Sequence, residues 1–380
     1  MLKKCSNCGD EKSELILDFG SIPITSLLGK KDSFSLQYRK CEKCLVTHVF
    51  NSPPPNILYG GDYNFFSSSS TAYISYVSEI IKTIQTNIDL SQSDVLEIGC
   101  NDGTLVREIA SKAKSVVGID PFSLATEIFD CDINNAAIIN DYFDSQAIKS
   151  YNLTEKFDVV VVNNVITHVD DVFDFLKALS LVVKNNGIIY FEICDYKKVI
   201  ENDRFDYFYH GVTNLILPNQ IEKLLINFEC IADYGFESFD PFSRKFILQK
   251  TNLKNKEYNF QNYQIGSAQK NLEKWCEGIN IFFENLSNYR NVVGYGANSK
   301  AGLVFAVSSV AKQKISIVLD INLNKKNKSI SGSNIQIKHI DNYDLSTIDC
   351  IVLFASHIFK EVEYDLKSKG YSGAVLVLEL

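Results

Sequence analysis

From Thr71 to about Ile88, Ile74, Val77, Ile80, Ile81 and Ile84 recur at the spacing of one helix face. The pattern then changes to short apolar runs. Val95, Leu96 and Ile98 predict a strand, Gly99-Cys100-Asn101-Asp102-Gly103 a turn, and Thr104 onward an amphipathic helix. SVVGID is a second strand ending in the acid Asp120, AAIIN a third with Asp141 after it, and FDVVVVNN a fourth. Strand and helix alternating at these intervals predict an α/β doubly wound parallel sheet.

The pattern repeats near the end of the chain. Ser267 to about Ser287 reads as an amphipathic packing helix through Leu272, Trp275, Ile279, Ile281, Phe282 and Leu286. VVGYGANSKAG then predicts a strand, a turn containing Gly294 and Gly296, and a helix from about Lys300. SIVLDIN, CIVLFAS and AVLVLEL supply further strands. A turn of this kind offers backbone N–H groups and a lysine to phosphate at a helix N-terminus. That makes Gly296, Asn298, Ser299 and Lys300 candidates for a diphosphate. The basic stretch NKKNK at 324–328 reads as a solvated loop.

Composition narrows the class. A chain of 380 residues suggests two to three domains, and 46% hydrophobic with 22% charged residues is ordinary for a globular protein. A net charge of −8 argues against a nucleic-acid partner. No apolar run nears the roughly 18 residues of a membrane span. The opening MLKKCSNCGDEKSE has no apolar segment of the signal-peptide kind, so a cytoplasmic protein is expected. Oligomeric state is left open, a monomer included.

Four of the ten cysteines form two CxxC pairs, Cys5/Cys8 and Cys41/Cys44. Two such knuckles supply a tetrahedral set of thiolates, which suits zinc. Four thiolates close the shell, so the metal is expected to be structural, and its removal to unfold an N-terminal module too small to hold its own core. Gly9 suits a tight knuckle, and His48 reads as a satisfied histidine rather than a fifth ligand. The other six cysteines lie singly among apolar residues.

In an open α/β sheet the ligand sits at the carboxyl ends of the strands. The glycine turn after the first strand allows close approach to a nucleoside, and Asp120 can accept both ribose hydroxyls. Glu97, Gly99, Asn101, Asp102 and Gly103 together resemble the S-adenosylmethionine loop of class I methyltransferases. A dehydrogenase is disfavoured because no full G-x-G-x-x-G is present.

The zinc module, YNFFSSSS, EIGCNDG, GIDP, NNVITHVDD, FDYFYH and GYGANSKAG occur in this order. Together they resemble the sugar C-methyltransferase family of deoxysugar pathways. The resemblance implies a zinc-binding N-terminal domain, a class I methyltransferase core and a Rossmann-like C-terminal domain, placed here at 1–66, 67–264 and 265–380. It implies S-adenosylmethionine as cofactor and a nucleotide-linked sugar as substrate, held by the C-terminal turn. By the same resemblance Asp141 would meet the adenine edge, and Asn163 and Asn164 would lie near the transferring methyl. His168, Tyr209, His210 and, more loosely, Tyr63 would face the active site.

One departure changes the expected chemistry. The family's Y-H-E-H reads Tyr209-His210-Gly211-Val212 here, so the acid and second histidine associated with enolate formation are missing. Transfer to a hydroxyl needs one base and alignment. O-methylation is therefore expected, with His168 or His210 as base. C-methylation of a 4-keto sugar is the alternative, and a non-catalytic zinc-scaffolded nucleotide-sugar binding protein the alternative from another class.

Overall fold

The computed structural model describes residues 4–50, 52–58, 66–69, 71–121, 133–238, 240–251, 265–354 and 359–378. Three sheets organise them. The N-terminal one is antiparallel, β1 (Ser13–Pro23), β2 (Ser33–Cys41) and β3 (Thr47–Val49), in that order.

The central sheet has seven strands. The chain enters it through helix α1 (Thr71–Gln85), continues with β4 (Asp94–Ile98) and α2 (Thr104–Ala110), then β5 (Ser115–Ile119), β6 (Ala136–Ile139) and β7 (Phe157–Asn163). Helix α3 (Val172–Val182) leads into β8 (Val183–Cys194), and β9 (Phe228–Asp233) and β10 (Ser243–Lys250) complete the sheet in the order β6-β5-β4-β7-β8-β10-β9. The neighbours from β6 to β8 are parallel, while β10 runs antiparallel to both β8 and β9. Val159, Val160, Val161 and Val162 are all fully buried, because β7 is covered on both faces. This is the doubly wound sheet expected from the alternating pattern. The antiparallel β9–β10 edge was not anticipated.

The third sheet is wholly parallel. Helix α4 (Gln269–Glu284) precedes β11 (Val292–Tyr295), α5 (Ser299–Val307), β12 (Ile317–Asp320), β13 (Gln336–His339), β14 (Cys350–Leu353) and β15 (Ala374–Val377), in sheet order β13-β12-β11-β14-β15. That order is the Rossmann-like one.

The N-terminal strands share their core with the far end of the chain. Ile16, Leu17, Ile22, Leu36 and Tyr38 are buried in the same apolar cluster as Leu272, Trp275 and Ile279 of α4 and Ala301, Leu303 and Val304 of α5. The backbone N–H of Ala268 donates to the carbonyl of Ile16, and Gln269 receives the N–H of Asp18. Each fully buried large side chain contributes about 1.5–3 kcal/mol relative to exposure, so β1 and β2 are held by the far end of the chain as well as by their own knuckles. Among the described residues, no helix is long and apolar enough to cross a membrane.

Candidate active site

At the cofactor end, Gly99, Asn101 and Gly103 all have positive φ, which folds the chain sharply from β4 into α2. The N–H of Gly99 donates to the carbonyl of Ile119 at 2.8 Å, and the N–H of Asn101 to Oδ2 of Asp120 at 2.9 Å. Asp120 thus stands at the end of β5 with its carboxylate against the turn. A Cβ on Gly99 would lie 2.5 Å from Cγ2 of Val165, so this position requires glycine. The fully buried Asp102 accepts Oγ1 of Thr104 at 2.6 Å and the N–H of Ser68 at 2.9 Å, and Oδ1 of Asn101 accepts the N–H of Ser67 at 3.0 Å. The serine run is thus stitched to the glycine turn.

Glu97 is buried beneath this turn, and Oε2 has no hydrogen-bond partner among the described residues. Burial first, then the charges of Asp120 and Asp102, push its carboxyl well above the ordinary range. An orphaned acceptor beside a glycine turn and a strand-end acid suits a nucleoside with an attached cationic amino acid. Asp141, after β6, accepts the N–H of Tyr142 at 2.8 Å and the hydroxyl of Tyr151 at 3.2 Å. The half-exposed Tyr142 beside it presents an aromatic face that sequence reasoning missed.

At the other end, Nδ2 of Asn163 donates to the hydroxyl of Tyr73 at 3.1 Å, bringing the first turn of α1 over β7. Asn164 has φ 54° and donates its N–H to the carbonyl of Glu192 at 2.7 Å. His168 sits on a one-turn 3-10 segment, Ile166–His168. Its Nδ1 is 2.6 Å from the carbonyl of Gly211, a contact that requires Nδ1–H and leaves Nε2 as the basic nitrogen. Burial lowers its pKa, opposed by that carbonyl. The Tyr209 ring centroid is 6.3 Å away.

His210 turns the other way. Its ring is fully buried, Nε2 donates to the carbonyl of Phe34 at 3.1 Å, and Nδ1 has no partner among the described residues. Burial pushes its pKa down to about 4. The structure therefore brings His168 and Tyr209 together and separates His210 from them. Tyr63 lies outside the described residues. Gly211 and Val212 offer the site no ionisable side chain; Val212 is buried in the apolar core and its carbonyl accepts the hydroxyl of Tyr38 at 2.9 Å.

A polar cluster went unread in the sequence. The buried Glu192 accepts the hydroxyls of Tyr76 at 2.9 Å, Tyr190 at 2.8 Å and Ser238, and lies opposite Asn163 on β7 and Lys245 on β10. A lone acid inside the apolar run YFEIC was its signal.

The four cysteines converge. All their Sγ atoms lie within 4.8 Å of one another, with Cys5–Cys44 at 3.7 Å and Cys8–Cys41 at 3.5 Å. Tetrahedral zinc with Zn–S near 2.3 Å requires S–S edges of about 3.8 Å, so the donor set fits. Gly9 and Leu45, each following a knuckle's second cysteine, have φ 73° and 61°, and donate their N–H groups back to Cys5 and Cys41. His48 is buried, its Nε2 3.1 Å from Sγ of Cys5 and its ring stacked on Phe50. It is a neighbour of the sulfur set rather than a member.

The C-terminal turn copies the first one. The N–H of Gly296 donates to the carbonyl of Leu319 and that of Ala297 to Oδ2 of Asp320, both at 2.8 Å. Asp320 also accepts the N–H of Asn322 and Nζ of Lys325 at 3.0 Å. The 324–328 stretch is thus not merely solvated. Asn298 caps α5 by accepting the N–H of Ala301 at 2.9 Å. Lys300 reaches across to Oδ2 of Asp206 at 3.2 Å and lies 4.1 Å above the Tyr207 ring, while Arg204 grips the same carboxylate with two hydrogen bonds. Burial opposes ionisation of Asp206, but Arg204 and then Lys300 hold its pKa below the ordinary value. Asp240 lies close by and accepts the hydroxyl of Tyr207 at 2.8 Å, so two carboxylates face these two cations beside the α5 N-terminus. Arg204 was not foreseen.

The Methyltransferase domain family matches residues 72–257, and the C-methyltransferase C-terminal domain family matches residues 254–380. The chain is 21% identical over 366 residues to C-methyltransferase NovU of Streptomyces niveus, covering 88% of this chain and 85% of that one. It is 33% identical over 95 residues to a ubiquinone biosynthesis O-methyltransferase of Azorhizobium caulinodans, covering 25% of this chain and 38% of that one. Protein PH0226 from Pyrococcus horikoshii OT3 superposes with a TM-score of 0.41 at 15% identity, over 49% of this chain and 95% of that one.

Proposed function

This chain is an S-adenosylmethionine-dependent methyltransferase, and we propose that its methyl acceptor is a hydroxyl of a nucleotide-linked sugar. The observation that carries this reading is the single oriented base. His168 is fixed through Nδ1 to Gly211, His210 is turned toward Phe34, and positions 211 and 212 offer no ionisable side chain. One base suffices for a hydroxyl. Forming an enolate requires a second group to stabilise the oxyanion.

The glycine turn, Glu97 and Asp120 would hold the methionine and ribose parts of the cofactor, and Asp141 with Tyr142 the adenine. The cofactor supplies an electrophilic methyl on a sulfonium sulfur. Nε2 of His168 takes the hydroxyl proton as the sugar oxygen forms its bond to the methyl carbon. S-adenosylmethionine held there would give up its methyl and keep the C–S electron pair as S-adenosylhomocysteine, and the product would be an O-methyl sugar. Asn163 and Asn164 would align the two reactants. Lys300, with Arg204 behind it, Ser299 and the Gly296 turn would meet the diphosphate. Cys5, Cys8, Cys41 and Cys44 would bind a structural zinc.

C-methylation of a keto sugar on the same scaffold is the second reading, supported by the similarity to NovU along most of the chain. Carbon NMR of products made with 13C-methyl-labelled S-adenosylmethionine across a panel of nucleotide sugars separates the two. An O-methyl resonance, together with a His168→Asn variant slowed about 10²–10⁴-fold at unchanged cofactor affinity, supports hydroxyl transfer. A methyl on ring carbon, or solvent deuterium incorporated next to a ketone, favours the second reading.

A further inference from the structure

The 3-10 turn that carries His168 is too short to hold itself: one turn makes few internal hydrogen bonds. Its stability comes from two neighbouring segments, and both lead to the four-cysteine centre. Between the cysteines of the first knuckle, Oγ of Ser6 donates to the carbonyl of Asp170 at 3.0 Å, and Oδ1 of Asn7 accepts the N–H of Val172 at 2.8 Å. Val172 is the first residue of α3, so Asn7 satisfies one of that helix's otherwise unpaired N-terminal donors.

The second knuckle acts through β3. Val49 donates its N–H to the carbonyl of Thr213 at 2.8 Å, Leu215 donates to Thr47 at 2.7 Å, and His48 bridges to Asn214 while its ring contacts Cys5. Thr213 and Asn214, both buried, then bind the histidine turn directly. Oγ1 of Thr213 donates to the carbonyl of Val169 at 3.0 Å, and Nδ2 of Asn214 to those of Ile166 at 2.7 Å and Val169 at 2.8 Å. The same segment includes Gly211, whose carbonyl accepts the hydrogen bond from Nδ1–H of His168.

We propose that the cysteine centre is a positioning device for His168, clamping the 166–172 segment from both sides so that the ring keeps one tautomer and one direction. This rests on His168 as the base and on zinc at the four cysteines. Ser6, Asn7, Thr213 and Asn214 are positioning residues, since none of them needs to touch substrate. Metal closure ties the two knuckles into one rigid block, and the histidine turn is bound to that block rather than to the central sheet alone.

The test uses zinc-loaded full-length protein with 15N-labelled histidine rings; the chain has five histidines, and His168→Asn identifies the signal. In the parent protein the His168 resonances should show protonated Nδ1 and unprotonated Nε2. Asn7→Ala should retain its zinc, yet move both resonances toward the average of the two tautomers. Asn7→Asp, which keeps the acceptor, should restore them, and Thr213→Val should reproduce the shift without altering a knuckle. Unchanged His168 resonances in zinc-loaded Asn7→Ala and Thr213→Val overturn the proposal, as does purified protein whose cysteines bind no zinc. Turnover by His168→Asn tests the base assignment separately, so failure of that reading is distinguishable from failure of this one.

Discussion

Asp120 and His210 show how far a single side chain's surroundings decide its use. Asp120 ends β5 with Oδ2 on the turn's N–H, where a carboxylate can accept ribose hydroxyls. Asp120→Ala is expected to weaken S-adenosylmethionine binding by about 1–3 kcal/mol, measured by calorimetry, through loss of charge-assisted hydrogen bonds. His210 behaves as a core residue. Its folded pKa is about 4, against about 6.5 in an unfolded chain. Between these values the unfolded chain takes a proton that the native state refuses, so stability falls as pH drops through this window, by up to about 3 kcal/mol. Urea unfolding at pH 7.5 and 4.5 should show that loss, and His210→Gln should show correspondingly less of it. The motif containing His210 was legible in the sequence; the direction of its ring was not, because that depends on the carbonyl of Phe34, 176 residues away in the chain.

At the scale of elements, although the parallel strands β8 and β13 went unread, β4 to β7, β11, β12, β14 and β15 were readable because buried parallel strands must be apolar runs. β1, β2, β9 and β10 were not, since their alternation is broken by bulges and mixed exposure. The glycine turn was recognised, but the reason for its first glycine lies across the site. Gly99→Ala would combine a φ of 69° with a Cβ 2.5 Å from Val165. It is expected to destabilise the protein by about 1–3 kcal/mol in chemical unfolding. Val165→Ala in the same chain should recover part of that loss, since it removes the clash and leaves the backbone strain.

For the whole molecule, the shared cluster revises what metal removal should do. β1 and β2 pack on α4 and α5, so chelating the zinc should loosen the knuckles and the histidine turn without unfolding those strands. Trp275, the one tryptophan, is buried in that cluster and reports on it. Its emission should stay unshifted on chelation. On urea unfolding its red shift should coincide with loss of far-UV circular dichroism in a single transition. An early red shift on chelation would show that the N-terminal strands depend on the metal after all.

The sequence by itself determined the chemistry on offer: two CxxC knuckles, a glycine turn with an acid one strand later, a second glycine turn, and the missing acid and histidine at 211 and 212. These are local patterns, set by backbone geometry and periodicity over a few residues. Only the tertiary structure decided which groups meet. It paired Lys300 with Asp206, buried Glu192 among hydroxyls, joined the first and last thirds of the chain in one core, and tied the histidine turn to the cysteines. Those contacts link segments dozens to hundreds of residues apart, where burial and hydrogen-bond satisfaction across the packed interior select the partners.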